Sequence, residues 1–258
     1  MINPHFIKLT IPVHCLLLLS FFMIHWTVWN IIGILILWTL IGGFGVAVGY
    51  HRLFGHRSFN THPVIAKILA YLGLLSGDGS LIFWVALHIG IHHKYADKEQ
   101  DLHSPIKGLW SSFIGWQSKI NQNTISLLPA RALLKDKYYV FLHDYYYVIF
   151  WLTFIILAGI SWQFALGIFI PASILSHHQD NLVNVGGHLR KAGYRNFDIN
   201  DNSTNNWFTG LFVWGQGWHN NHHARPNDSN FGGQQWWEFD SAHRLLIPLI
   251  RSKNESNT

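Results

Sequence analysis

Histidine is the residue type with chemistry to offer here. Of 18 in 258 residues, nine stand in tight groups: His51 and His56 in HRLFGH, His88, His92 and His93 in HIGIHH, His188 in NVGGH, and His219, His222 and His223 in GWHNNHH. A lone imidazole is ordinarily a hydrogen-bonded structural group, but clusters at these spacings suit metal. Residues four apart on a helix differ in direction by about 40°. His88 with His92, His219 with His223, and Asn184 with His188 can therefore each share a face. Neutral imidazole suits iron, zinc, copper and nickel. Cys15 is the single cysteine, so no thiolate set for zinc exists, and nine His exceed what one tetrahedral site uses. Nine His with Asn184 amount to two metal sites. A hydrolytic pair would ordinarily carry bridging carboxylates, and the boxes contain none. Two nitrogen-ligated metals fit O2 activation, with two irons sharing the electrons needed. A metal transporter or sensor is the separate class to weigh, but transporters place ligands near the bilayer midplane, whereas these boxes fall at the ends of apolar stretches.

The elements that must position these groups belong to a membrane. Only 12% of residues are charged, against about 25% in an average soluble protein. Ile11 to Tyr50 contains no Asp, Glu, Lys or Arg, and its 40 residues suffice for two spans of about 20 each, with Trp29, Asn30 and Gly33 at the turn. Tyr145 to Gln179 is likewise uncharged, broken at Gly159, Ser161 and Trp162. The expected fold is all-α and integral to the membrane: four transmembrane helices in two hairpins (11–29, 31–50, 145–160, 162–178) and a cytosolic helical cap (51–143 and 179–258), all one domain over 1–258. All 18 Lys and Arg lie at Lys8, between Arg52 and Lys137, or from Arg190 onward, and the hairpin turns hold none. The positive-inside rule then puts the site and both termini in the cytoplasm, at a bacterial inner membrane or the endoplasmic reticulum. The first apolar run is too long for a signal peptide and lacks a cleavage site. Pro63 to Leu87 is apolar but carries Lys67 and Asp78, which favours a buried or re-entrant helical pair over a lipid-exposed span. The pI of about 9.3 reflects membrane orientation rather than nucleic-acid binding, since the basic residues form no stripe. No haem-attachment or Cys-rich motif is present, so any electron carrier must be a separate protein or lie outside this chain.

HRLFGH, a box ending in HH, an Asn-x-x-x-His element and GWHNNHHARP, in that order between hydrophobic hairpins, resemble the membrane acyl-CoA desaturases of the stearoyl type and their bacterial relatives. Trp84 to His88 (WVALH), Asp201 to Trp207 (DNSTNNW) and Trp236 with Trp237 extend the resemblance over roughly 45–245. It implies that His51, His56, His88, His92, His93, His188, His219, His222 and His223 ligate two irons, with Asn184 approaching one directly or through water. It implies, too, a bent hydrophobic tunnel for a long-chain acyl group carried by coenzyme A, acyl carrier protein or a glycerolipid. O2 would be the co-substrate, a ferredoxin or cytochrome b5 the electron donor, and a double bond the product. Hydroxylation, acetylenation and epoxidation are alternative outcomes of the same chemistry.

Two departures from that pattern stand out. The second box is one residue longer than His-x-x-His-His. Either His88 and His92 form the near pair and His93 turns to the other metal, or a one-residue π-bulge near Gly90 absorbs the insertion. Ile89 stands where the acyl-CoA enzymes typically have Arg. Gln216 replaces the usual Glu, keeping hydrogen-bonding reach without charge. Gln216, Asp101 and His178 are the residues expected to support ligating imidazoles, with His177 and His103 beside them. His14 and His25, eleven residues apart, share a helix face. Interhelical hydrogen bonding is favoured for them over haem.

Overall fold

A computed structural model describes residues Asn3–Ser252; Lys253 and Thr258, which enter the topology expectation, lie outside the described residues. The described chain is helical and contains no strand among the described residues, only isolated bridges. Two helices are long and apolar enough to cross a membrane, α1 (Phe6–Met23) and α2 (Val28–Gly55). Phe21, Phe22, Trp29 and Ile36 stand exposed on them, a contiguous apolar surface that suits lipid rather than water.

The break between α1 and α2 falls at 24–27 and not at Trp29, Asn30 and Gly33. Thr27 is the reason. Its N–H and hydroxyl donate to Asn30 Oδ1 at 2.9 and 2.8 Å, forming a capping box that starts the helix early and leaves Trp29 and Gly33 inside it. At its far end α2 outlasts the expected limit at Tyr50, passing through wider π-type turns to Gly55. His51 is thus a helical residue, and the His56 N–H closes the helix on the His51 carbonyl at 3.0 Å.

The expected helical pair of Pro63 to Leu87 is α3 (Pro63–Leu74) and α4 (Leu81–Leu87). The turn between them places Gly77 and Gly79 at φ of 87° and 102°, a region that favours glycine. α3 crosses α2 at Gly45 and Gly73, where a Cβ on Gly45 would come within 2.4 Å of the Gly73 nitrogen. Small residues permit that approach. Both charges find protein partners. Lys67 reaches Asp136 at 3.6 Å in a half-exposed pair, and Asp78 is buried against His177 Nδ1 at 2.8 Å.

α5 (Lys137–Asp144) and α6 (Tyr146–Ile160) meet at a bend of 78° and together have the length and apolarity of a third span. Ser161 ends α6 and its hydroxyl accepts from the Phe164 N–H at 3.2 Å, capping the next helix as expected. That helix runs from Trp162 through a π-type turn into α7 (Ile170–His188) without interruption, past the expected limit at 178. α7 packs against α1 and α2, and its second half turns polar with His177, His178, Gln179, Asp180 and Asn181. A core of Ile41, Leu74, Leu81, Ile82, Phe150 and Ile170 binds these helices, so the ends of α2, α4 and α7 come together. The short helices α8 (Trp207–Phe212) and α9 (His219–Ala224) close over those ends.

Candidate metal centre

All nine box histidines converge, and they sort into two groups. His51, His56, His88, His93 and His222 offer ligand atoms within 4.8 Å of one another; so, separately, do His92, His188, His219 and His223. Within the five-His group, Nε2 separations are 2.9 Å for His56–His88, 3.0 Å for His51–His222, and 3.1 Å for both His88–His93 and His93–His222. In the four-His group, they are 3.0 Å for His188–His219, 3.1 Å for His219–His223 and 3.2 Å for His92–His188. Neighbouring ligands at about 2.1 Å from one octahedral ion stand about 3.0 Å apart, since right-angled bonds of that length span such a distance.

Tautomers make the same case. In the four-His group every Nδ1 faces an acceptor: Asp101 Oδ2 for His92 at 3.2 Å, Asp97 Oδ2 for His188 at 2.8 Å, the Gln216 carbonyl for His219 at 3.3 Å, and Asp201 Oδ2 for His223 at 3.0 Å. With Nδ1 carrying the proton, four Nε2 lone pairs point at one place. Only a cation makes that arrangement favourable, and the donor set fits one.

The insertion in the second box is absorbed by a π-type turn over His88–His92, in which the His93 N–H donates to the His88 carbonyl. A turn of that width aligns residues five apart. His88 and His93 therefore enter the same group and His92 goes to the other, so the pairing of His88 with His92 on one face is not realised. Gly90 sits where a Cβ would meet Pro129 Cγ at 2.8 Å. His219 and His223 do share a group, with His222 in the other, as α9 geometry requires.

Burial pushes the pKa values of His88, His93, His219, His222 and His223 well below the usual imidazole range, and mutual repulsion adds to it. His56 falls to about 3 through burial and then Arg52. These imidazoles are thus neutral, as metal binding requires. Burial alone would raise Asp97, but the hydrogen bonds it accepts from His188, the Ser104 hydroxyl and the Asn202 N–H outweigh it and hold the carboxyl low. Asp201 and Asp101 are lowered in the same way by His223 and by His103 with His92.

Of the residues expected to support the ligands, Gln216 accepts from His51 Nδ1 at 2.7 Å while its amide donates to Asp180 Oδ1 at 3.2 Å. Asp101 holds His92 and stands 3.4 Å from His103 Nδ1. His178 does not join them. It faces His14 Nε2 at 3.0 Å within the bundle and stacks on Phe113, which also realises the interhelical bonding expected of His14. Asn184 lines a cavity together with His88. The sequence reading missed Asp97 and Asp201 as partners of His188 and His223. It also missed the bracing of α9, where Asn221 donates to Glu238 Oε2 at 3.0 Å and the Asn220 carbonyl oxygen accepts from the Phe197 N–H at 2.8 Å. The paired asparagines inside GWHNNHH were the available signal.

The fatty acid desaturase family model matches residues 24–255. The chain is 36% identical over 216 residues to an sn-1 stearoyl-lipid 9-desaturase of Anabaena variabilis, covering 82% of this chain and 78% of the relative. It is 35% identical to an acyl-CoA 5-desaturase of Anemone leveillei, covering 82% and 66%. It is 31% identical to a hex-5-enoyl-(acyl-carrier protein) acetylenase of Moorena producens, covering 84% and 73%. This chain belongs to the fatty acid desaturase family.

Proposed function

We propose that the chain is an O2-dependent desaturase that introduces a double bond into a long-chain fatty acyl group. The observation that carries this is the convergence of nine imidazoles into two adjacent groups in a chain of the desaturase family. His51, His56, His88, His93 and His222 would hold one iron and His92, His188, His219 and His223 the other, with Asn184 in the cavity that His88 lines. Iron there would supply the redox equivalents by which O2 is reduced and hydrogen is taken from an unactivated carbon. The protein's part is to fix the four imidazoles of the smaller group and His51 by their Nδ1 partners, to bury the ligands, and to hold the acyl chain against the centre. Relatives act on lipid-, coenzyme A- and carrier-protein-bound chains; Ile89 in place of Arg weighs against coenzyme A. A separate one-electron carrier, a ferredoxin or cytochrome b5, supplies the reductant.

The acetylenase relative supports one second reading, in which the same centre dehydrogenates an alkene to an alkyne. Expression in a desaturase-deficient host, with mass spectrometry of derivatised fatty acids, decides. New mono-unsaturated chains support the main reading, alkynes the second, and neither product refutes both.

The topology follows from the same reading. α1, α2, the α5–α6 stretch and the helix ending in α7 make four passes, forming one domain with the His groups and both termini in the cytoplasm, as the Lys and Arg distribution motivates. Reporters near Lys107 should be cytoplasmic and probes at Asn30 or Ser161 external. Labelling near Lys107 from outside would overturn the arrangement.

A further inference from the structure

Desaturation by O2 consumes protons as well as electrons: R–CH2–CH2–R′ + O2 + 2 e− + 2 H+ gives R–CH=CH–R′ + 2 H2O. An external reductant brings the electrons. The protons must reach a centre whose imidazoles are buried or half-buried, and the four-His group has no proton to spare, because each Nδ1 is committed to an acceptor.

Asp78 is a buried acid that the metal centre does not use. It stands in the glycine-rich turn between α3 and α4, its side chain 7% exposed. Oδ1 lies 2.8 Å from His177 Nδ1, and among the described residues Oδ2 has no hydrogen-bond partner. Asp78 borders a cavity of about 50 Å³ whose wall also contains His88, Asp180 and Asn184. It also borders a cavity of about 10 Å³ with His5 and Gln122. Those two residues also line a third cavity, of about 260 Å³, that extends to the exposed Asn123. A polar cavity needs about 10–15 Å³ to hold one water, a size that the 50 and 260 Å³ cavities exceed and the 10 Å³ one between them just reaches. Asp78 borders both the inner and the outer spaces, whereas Asp180 borders the inner one alone.

We propose that Asp78 is a proton relay, receiving protons through the outer cavities and passing them across the inner cavity toward the histidine centre. The assignment rests on the desaturase reading above. In each transfer the carboxylic O–H bond breaks as its proton moves to water on the inner side, and the carboxylate is reprotonated from the outer side. Burial raises the Asp78 pKa to about 7, so the group can give up and regain a proton near neutral pH.

The test is Asp78→Asn in the full chain, in membranes with a reductant system. Expected are unchanged iron per chain, a desaturation rate lower by about tenfold or more, more electrons appearing as hydrogen peroxide, and a larger solvent deuterium effect than in the parent. Asp78→Glu should restore part of the rate. The resting parent should also show a carboxylic-acid infrared band that shifts in D2O and is missing from the Asn variant. A rate within twofold of the parent with an unchanged isotope effect would overturn the proposal, as would an infrared spectrum that loses no band. If Asp78→Asn does not accumulate, Asp180→Asn serves for the infrared measurement: the exchanging band must persist there, and its absence overturns the assignment. The infrared reading needs no turnover, so a parent chain that makes no unsaturated product counts against the proposed function alone.

Discussion

The two histidine groups are neighbours built on opposite electrostatic plans. The four-His group is backed by three carboxylates, Asp97, Asp101 and Asp201, each on an Nδ1. The five-His group has one more imidazole and, among the described residues, no such carboxylate: Gln216 holds His51 with a neutral amide, and His222 Nδ1 has no described partner. Arg52, fully buried beside His51, adds a positive charge that Asp240 offsets at 2.9 Å. A carboxylate partner raises the basicity of a ligating imidazole. The four-His group should therefore bind a metal by charge and the five-His group by ligand number, making the two sites unequal in affinity and potential. Adjacent sites can in this way divide the work of one reaction without any difference in ligand type.

Removing a ligand from either group gives the largest effect. His188→Ala and His222→Ala should each abolish desaturation and lower iron per chain by at least one, with reporter topology unchanged; metal analysis of purified protein reads this, and full iron in either variant would break the assignment. Next come the carboxylates. Asp201→Asn and Asp97→Asn should each cost about 10–100-fold in iron affinity or turnover, at the four-His group only.

Acid should unfold the metal-free chain sooner than neutral buffer. His56 and His103 are lowered to about 3, below an unfolded value of about 6.5, so the unfolded state binds more protons in between. Their contribution is complete above about pH 6.5 and declines toward pH 3. The lowered Asp97 and Asp201 lose theirs as pH falls below about 4. A thermal midpoint that rises on acidification across this window would contradict the neutral-imidazole account.

Gln216→Glu sharpens the comparison with a smaller change. It gives the five-His group a carboxylate and should tighten iron there by less than about tenfold, because the new acid also faces Asp180 at the old amide contact. The smallest effect belongs to the second box. Deleting Ile89 converts the π-type turn at His88–His92 into a regular one with the same three histidines available, and activity should stay within a few-fold. Loss of both iron and turnover would show that the wide turn is required.

The nine imidazoles were legible in the sequence because short spacings on helices carry their own geometry, and the apolar stretches because lipid forbids charge. The partners of those imidazoles were not. Asp97 pairs with His188 from 91 residues away and Asp201 with His223 from 22, and loop residues at such separations leave no periodic trace. The start of α2 was misplaced because Thr27 and Asn30 form a cap inside an otherwise uniform apolar run. The insertion near Gly90 left two readings open, since five-residue and four-residue turns differ in backbone hydrogen bonds and not in residue type.

Mössbauer spectroscopy of the chain loaded with 57Fe tests the central claim most directly. Two irons per chain, in two doublets of equal area and different quadrupole splitting, with only one doublet altered by Asp97→Asn, is the result the two unequal histidine groups predict. One iron per chain, or a single doublet that shifts as a whole in that variant, would contradict it.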